Sequence, residues 1–192
     1  DINYRVSTGP QYYIGDVSSI NESKVIDSIY KKHTSKSFIK KNDLFKTKNF
    51  ELERERLNRL FKNSGIYNFQ ISSIVYDVVI DSSNNIFSLP VKILITGKNY
   101  KTRNIDKITI SNFRKDASFD FNSDFLNNQI KFKISERFND SLRTLTLQNF
   151  NKLDLFNFPS VSYNYIENKD NSMEASVILN SKKKYAIGFG FD

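Results

Sequence analysis

The sequence contains no cysteine, and that absence removes disulfide bonds, thiol nucleophiles, iron–sulfur clusters and every zinc site built on thiolates. Histidine is almost as scarce. The single residue, His33, falls between Lys32 and Thr34 at the end of a predicted helix, where nothing nearby in sequence could share a metal or complete a proton relay. A surface or packing role is therefore expected of it. Tryptophan is absent, and there are only three prolines and six glycines, too few for a collagenous or linker-like chain. No run of about 18 uncharged apolar residues exists to cross a membrane as a helix. No charged start followed by an apolar core resembles a signal peptide. Because the chain opens on Asp1 rather than Met, it reads as a piece of something longer.

What is present is a basic, aromatic chain of 192 residues. Lysine and arginine number 29 against 21 aspartate and glutamate, which gives a net charge of +8 and a pI near 9.5. Hydrophobic residues make up 39%, and 17 Phe and 10 Tyr supply large side chains for burial, so the chain is folded rather than disordered. Its length allows one domain or two small ones. The charge can draw the chain to nucleic acid or to anionic lipid and decides neither.

Tyr12–Val17 reads as a short strand. After the polar break at Asn21–Ser23, Val25, Ile26, Ile29 and Tyr30 recur at helical spacing and predict a helix over 23–33. The connection that follows carries Lys36, Lys40, Lys41, Lys46 and Lys48; it reads as a solvated loop, with an anion site as the alternative. A second helix is predicted with Asn49 as its cap, with Glu51, Glu53 and Glu55 near the positive end of its dipole, and with Leu57, Leu60 and Phe61 on the buried stripe. Gly65 supplies a left-handed stop. Ile74, Tyr76, Val78 and Ile80 then alternate with mostly polar neighbours, a turn follows at Asp81–Asn85, and Phe87 to Ile95 alternates again until Gly97. Pro90 conflicts with its own strand, because proline cannot donate to a ladder and belongs at an edge or a bulge.

The second half repeats this order. Ile105–Ser111 reads as a strand and Asp124–Gln129 as a short helix, while Ile130–Ile134 alternates like another strand. Asp140 is expected to cap a helix carrying Leu142, Leu145, Phe150 and Leu153. Two alternating runs follow, through Val161, Tyr163 and Tyr165 and through Met173, Ala175, Val177 and Leu179, with a turn at Asn168–Asn171. At the helix-to-strand junctions Gly65-Ile66-Tyr67-Asn68-Phe69 matches Asp154-Leu155-Phe156-Asn157-Phe158, an offset of 89 residues from Tyr67 to Phe156. The chain thus reads as two β-α-α-β-β units in tandem. In Tyr185–Asp192, Tyr185, Ile187, Phe189 and Phe191 share one face, and Ala186, Gly188, Gly190 and Asp192 share the other. That pattern fits a membrane-barrel strand and equally an ordinary half-buried strand.

These residues resemble a known family. The β-α-α-β-β unit resembles the POTRA domain, the periplasmic repeat of Omp85-superfamily outer-membrane proteins, and the resemblance covers the whole chain. Its most specific piece is Glu53-Arg54-Glu55-Arg56-Leu57 through Leu60 to Ser64–Phe69, which looks like the family's helix followed by a glycine-aromatic strand entry. Leu153–Phe156, Glu174–Asn180 and Lys183–Phe189 resemble the last POTRA domain leading into the first barrel strand, and Asp1–Ser7 looks like the closing strand of a preceding repeat. The sequence departs from the family in a poorly marked first helix of the second unit and in Asp154, which stands where the repeat's glycine is expected.

The resemblance implies an α+β fold of tandem POTRA-like domains, each a three-stranded mixed sheet covered by two helices, followed by the start of a membrane β-barrel strand. The implied boundaries are 1–10 for the end of a preceding repeat, 11–97 and 98–183 for two POTRA-like domains, and 184–192 for the barrel strand. It implies a non-catalytic module without cofactors or metal on the periplasmic face of the Gram-negative outer membrane. Such a module would bind outer-membrane protein clients or accessory assembly subunits by β-augmentation and not nucleic acid. The implied polypeptide-binding edge is Ile74, Val75, Tyr76, Asp77, Val78 and Val79. Here Ile74, Tyr76, Val78 and Ile80 would face the helices and Val75, Asp77 and Val79 would face outward, with Val75 and Asp77 as the outward backbone donors and Asp77 as a charge that discourages self-pairing. Lys182, Lys183, Lys184 and Tyr185 would lie next to the membrane. Two alternatives remain: a structural spacer that binds no client, and a basic nucleic-acid-binding module. The latter needs aromatic and basic residues interleaved on one sheet face, yet here the aromatics alternate with Ser and Asn, as in Ser162-Tyr163-Asn164-Tyr165.

Overall fold

A computed structural model describes residues 11–80, 87–112, 121–167 and 169–182. The chain divides into two compact units. One runs through Phe61 and resumes from Asn68 to Tyr100; the other takes Lys62–Tyr67 and the chain from Lys101 onward. Both are mixed α+β, and each is built on its own three-stranded sheet.

In the first unit, strand β1 (Tyr13–Asn21) leads to α1 (Lys24–Lys31), α2 (Thr47–Asn63), β2 (Ile74–Val78) and β3 (Ser88–Ile95), with 3-10 turns at Thr34–Lys36 and Ile71–Ser73. Helix α1 begins where the polar break predicts. The Ser23 hydroxyl accepts the Ile26 N–H, satisfying one of the first-turn donors, and Ile26 and Tyr30 enter the core. Helix α2 starts two residues before Asn49, so Asn49 lies inside it rather than capping it. Phe50, Glu53, Leu57 and Phe61 form its buried face, which puts Glu53 in the core instead of at the solvent end of the dipole. Gly65 closes the segment at φ 100°, the left-handed region that a side chain disfavours.

The strand order is β1-β3-β2, parallel on the β1 side and antiparallel on the β2 side. Leu89, Val91, Ile93 and Ile95 of the central strand are buried. That places Pro90 in the middle of a central strand, and the register explains how. Strand β1 bulges between Ile14 and Val17 opposite Pro90, and β2 pairing ends at Val78–Val91, before it reaches Pro90. The missing N–H therefore costs no ladder bond. Glycine suits position 15 in the bulge, because a Cβ there would lie 2.9 Å from the Ser88 Oγ and 3.1 Å from the Leu89 carbonyl carbon and oxygen.

The second unit orders β4 (Asn104–Asn112), α3 (Ser123–Asn127), α4 (Asp140–Lys152), β5 (Phe156–Tyr165) and β6 (Ser172–Ser181) in the same way, with strand order β4-β6-β5. Again the central strand buries every second residue, here Met173, Ala175, Val177 and Leu179. Three expectations change. The cap of α4 is Asn139, whose side chain accepts the Ser141 and Leu142 N–H groups, while Asp140 sits inside the first turn and pairs with Arg143 at 2.7 Å. Leu145 is half exposed, and Thr146 takes its place among the buried positions with Phe150. Residues 130–134 form a loop rather than a strand, with Phe132 anchored in the core and Ile134 exposed.

Finer likenesses lie at a spacing the sequence does not display. Asn42 and Ser135, 93 residues apart, both take positive φ, at 71° and 68°. Asn42 donates its N–H to the Ile14 carbonyl, and Ser135 does so to that of Ile105. After the second helix, which is shorter in the second unit, the spacing falls to 89, so that Asp154 at φ 55° occupies the place of Gly65. Asp tolerates that region better than most residues. The apparent match of Phe69 to Phe158 fails, however, because Phe69 is buried and Phe158 is 94% exposed at φ 48° beside Pro159.

Residues 1–10, the turn at 81–85 and the terminal run 184–192 expected to start a barrel strand lie outside the described residues.

Candidate polypeptide-binding edge

Strand β2 is the outer strand of its sheet: it pairs with β3, and among the described residues no strand lies on its other side. Its helix-facing residues pack as their alternation requires. Ile74 is buried, and the Tyr76 ring meets Phe50 of α2 edge-on with centroids 5.2 Å apart. Burial pushes the Tyr76 phenol well above its ordinary value, with the nearby Glu53 carboxylate adding to the effect. Val75 and Asp77 turn to the opposite face and are exposed. Two expected members leave the strand, which ends at Val78: Val79 follows it at 59% exposure, and Ile80, expected to face the helices, is 58% exposed.

The backbone polarity of this edge is the reverse of what the sequence suggests. Thr96 donates its N–H to the Ser73 carbonyl at 3.0 Å, one step before the Ile74–Ile95 pair, so Ser73 and Thr96 form a hydrogen-bonded pair. Antiparallel ladders alternate such pairs with open ones, which makes Val75 and Asp77 bond inward to β3. The open side then receives the backbone groups of Ile74, Tyr76 and Val78. Since the Ile74 N–H is already used on the Ile71 carbonyl, Tyr76 and Val78 carry the donors left without a partner among the described residues. Side chains and free backbone groups thus belong to the same residues. Alternation of apolar residues cannot reveal this, because it reports the face of a strand and not the direction of its carbonyls.

The corresponding outer strand of the second unit, β5, is guarded differently. Its ladder with β6 is interrupted between Asn157 and Ser160, and the interruption contains Phe158 and Pro159. A bulge and a proline both blunt an edge against pairing. β2 carries neither within Ile74–Val78.

On the solvent face of the first sheet the register aligns Ile20, Leu94 and Val75 in one row and Ser18, Lys92 and Asp77 in the next. The second sheet is polar on its equivalent face, where Lys107 pairs with Glu174 at 3.1 Å and the Thr109 hydroxyl bonds to Glu174 and Ser176.

Of the residues expected near a membrane, Lys182 directly follows β6. Its ammonium pairs with Asp154, and its N–H bonds to the Leu155 carbonyl. Lys183, Lys184 and Tyr185 lie outside the described residues. His33 closes a local contact, its Nδ1 being 2.9 Å from the Ile29 carbonyl at the end of α1.

No protein-family model and no curated protein sequence matches the chain. Solved structures do. BamA from Haemophilus ducreyi lacking POTRA domains 1-3 is similar with a TM-score of 0.63 at 12% identity, covering 89% of this chain and 30% of that one. Haemophilus influenzae BamA POTRA3-5 is similar with a TM-score of 0.55 at 11% identity, covering 90% of this chain and 63% of that one. The chain therefore spans less than two thirds of either protein. At such identities the likeness is one of fold alone. The chain has the fold of the BamA POTRA domains.

Proposed function

We propose that the chain is a periplasmic POTRA module of a Gram-negative outer-membrane machine for protein assembly or translocation. It binds client polypeptide or accessory subunits by adding their backbone to β2 and passes clients toward a barrel, without catalysis of its own. The carrying observation is the open side of β2, where the free N–H groups of Tyr76 and Val78 stand beside a helix-packed face and no proline or bulge protects the strand. An extended client gains main-chain hydrogen bonds there with little dependence on its sequence, which suits a module with many clients. In this reading Asp77, on the outward face, limits self-association, and Lys182 with the following Lys183, Lys184 and Tyr185 stands next to anionic headgroups.

The test separates capture from a spacer role. Val78→Pro removes a free donor at the last paired residue of the edge, whereas Val75→Pro removes one bonded within the sheet. Val78→Pro is expected to keep a native circular dichroism spectrum and to lose most crosslinking of extended client to β2; Val75→Pro is expected to unfold the first unit. A folded Val78→Pro variant with undiminished crosslinking favours the spacer.

A further inference from the structure

We infer that the cleft between α2 and β2 is a carboxylate subsite for the peptide that adds to the open edge, with Arg54 as the reading group; the inference rests on the edge-capture reading. The cleft, of about 410 Å³, is lined by Arg54, Ile71, Ser72, Ile74, Val75 and Tyr76. Arg54 lies one helical turn after Phe50, and its guanidinium carbon stands 5.3 Å from the Tyr76 ring centroid, a cation–π placement. The ring fixes the guanidinium at the mouth of the cleft, which lowers the entropy lost when a partner binds.

Among the described residues Arg54 lacks an anion, as Arg59, Arg103 and Arg137 also do, but it is the arginine that lines the cleft beside β2. Arg56 is paired with Glu53 at 2.6 Å and Arg143 with Asp140 at 2.7 Å, but among the described residues Arg54 has no carboxylate within ion-pair distance. Its Nε is withdrawn from solvent and has no acceptor. The guanidinium is thus partly desolvated, held in place and uncompensated, and such a group strongly favours a carboxylate because charge-assisted bonds gain most where water is already excluded.

Register places the ligand. A residue opposite Tyr76 on an added strand shares its helix-facing side, so its side chain enters the cleft bordered by Ile71, Ile74 and Tyr76 and reaches Arg54. A glutamate or aspartate side chain fits this chemistry, and so does a terminal carboxylate of a peptide that ends at this point.

The probes are fluorescent ten-residue peptides of alternating valine and serine with one variable central position: glutamate with an amidated C-terminus, glutamine with a free C-terminus, and glutamine with an amidated C-terminus. Binding to the 192-residue chain is read by fluorescence polarisation at low and high salt. At least one carboxylate peptide is expected to bind roughly tenfold tighter than the neutral one at low salt, the size of one charge-assisted pair, and the peptide that gains identifies the source of the carboxylate. Arg54→Gln should erase the difference between the carboxylate and neutral peptides, and Arg54→Lys should restore part of it. Equal affinities for all three peptides, or a preference that survives Arg54→Gln, overturn the subsite while leaving edge capture intact if Val78→Pro still abolishes binding. If no peptide binds the folded chain, the edge reading fails and the subsite falls with it. Should Arg54→Gln fail to fold, the peptide series on the unaltered chain and Arg54→Lys decide.

Discussion

Glu53 accepts the backbone N–H of Phe38 at 3.0 Å from a position in α2 where its own side chain is fully buried. The carboxylate also takes two bonds from Arg56, at 2.6 and 2.8 Å, and Arg56 donates onward to the His33 carbonyl. One acidic side chain thereby ties the lysine-rich loop and the end of α1 to the core of the first unit. In the second unit the Thr146 hydroxyl does the corresponding work, accepting the Lys131 N–H at 3.0 Å and donating to the Leu142 carbonyl.

Removing that carboxylate strands its partners. Glu53→Ala is expected to cost about 3–5 kcal/mol, because a buried guanidinium and a backbone donor both lose their acceptor. Glu53→Gln keeps an acceptor for Phe38 and should cost less. Denaturant midpoints of the two variants check the order; equal midpoints would mean the loop is held by other contacts.

Gly65 carries a prediction of backbone strain. At φ 100° any Cβ is disfavoured, and one built there would lie 2.6 Å from the Arg137 Cγ and 3.2 Å from the Thr102 Cβ. Gly65→Val should destabilise the protein by about 1 kcal/mol or more, read as a fall in melting temperature. Asp154→Gly, at φ 55°, relieves strain of the same kind and should change stability little or raise it. A melting temperature unaltered by Gly65→Val would remove the claim that the turn needs glycine.

Alkaline pH should weaken the fold. Burial is the main cause that raises the phenols of Tyr30, Tyr76 and Tyr163 above their ordinary value of 10.0. Their neutral forms are favoured in the folded state, so the stability they contribute is fully present below pH 10 and is lost as pH rises beyond it, where the unfolded chain ionises first. Melting temperatures recorded from pH 9 to 11 should fall, and Tyr163→Phe should flatten part of the decline. A flat profile would mean that these rings ionise as easily in the folded state.

Local pattern carried much of this architecture. The alternation of Leu89, Val91, Ile93 and Ile95 and of Met173, Ala175, Val177 and Leu179 is the signature of strands buried on one face, and both proved to be the central strands. The polar break at Asn21–Ser23 marked a helix start and Gly65 a helix stop, through chemistry confined to a single turn. These features follow from neighbours a few residues apart, which is the range over which sequence periodicity is informative. Decisions that depended on distant partners were hidden. Pro90 is tolerated in a central strand because β1 bulges opposite it and β2 stops short of it. Phe69 and Phe158 share a sequence context yet lie in the core and in solvent. The free donors of the edge belong to Tyr76 and Val78 rather than to Val75 and Asp77, because the pairing of Ser73 with Thr96 sets the phase of the whole ladder. Hydrophobic spacing specifies which side chains leave water; which backbone groups remain free to bind is specified by strand register, and register exists only once the sheet has assembled.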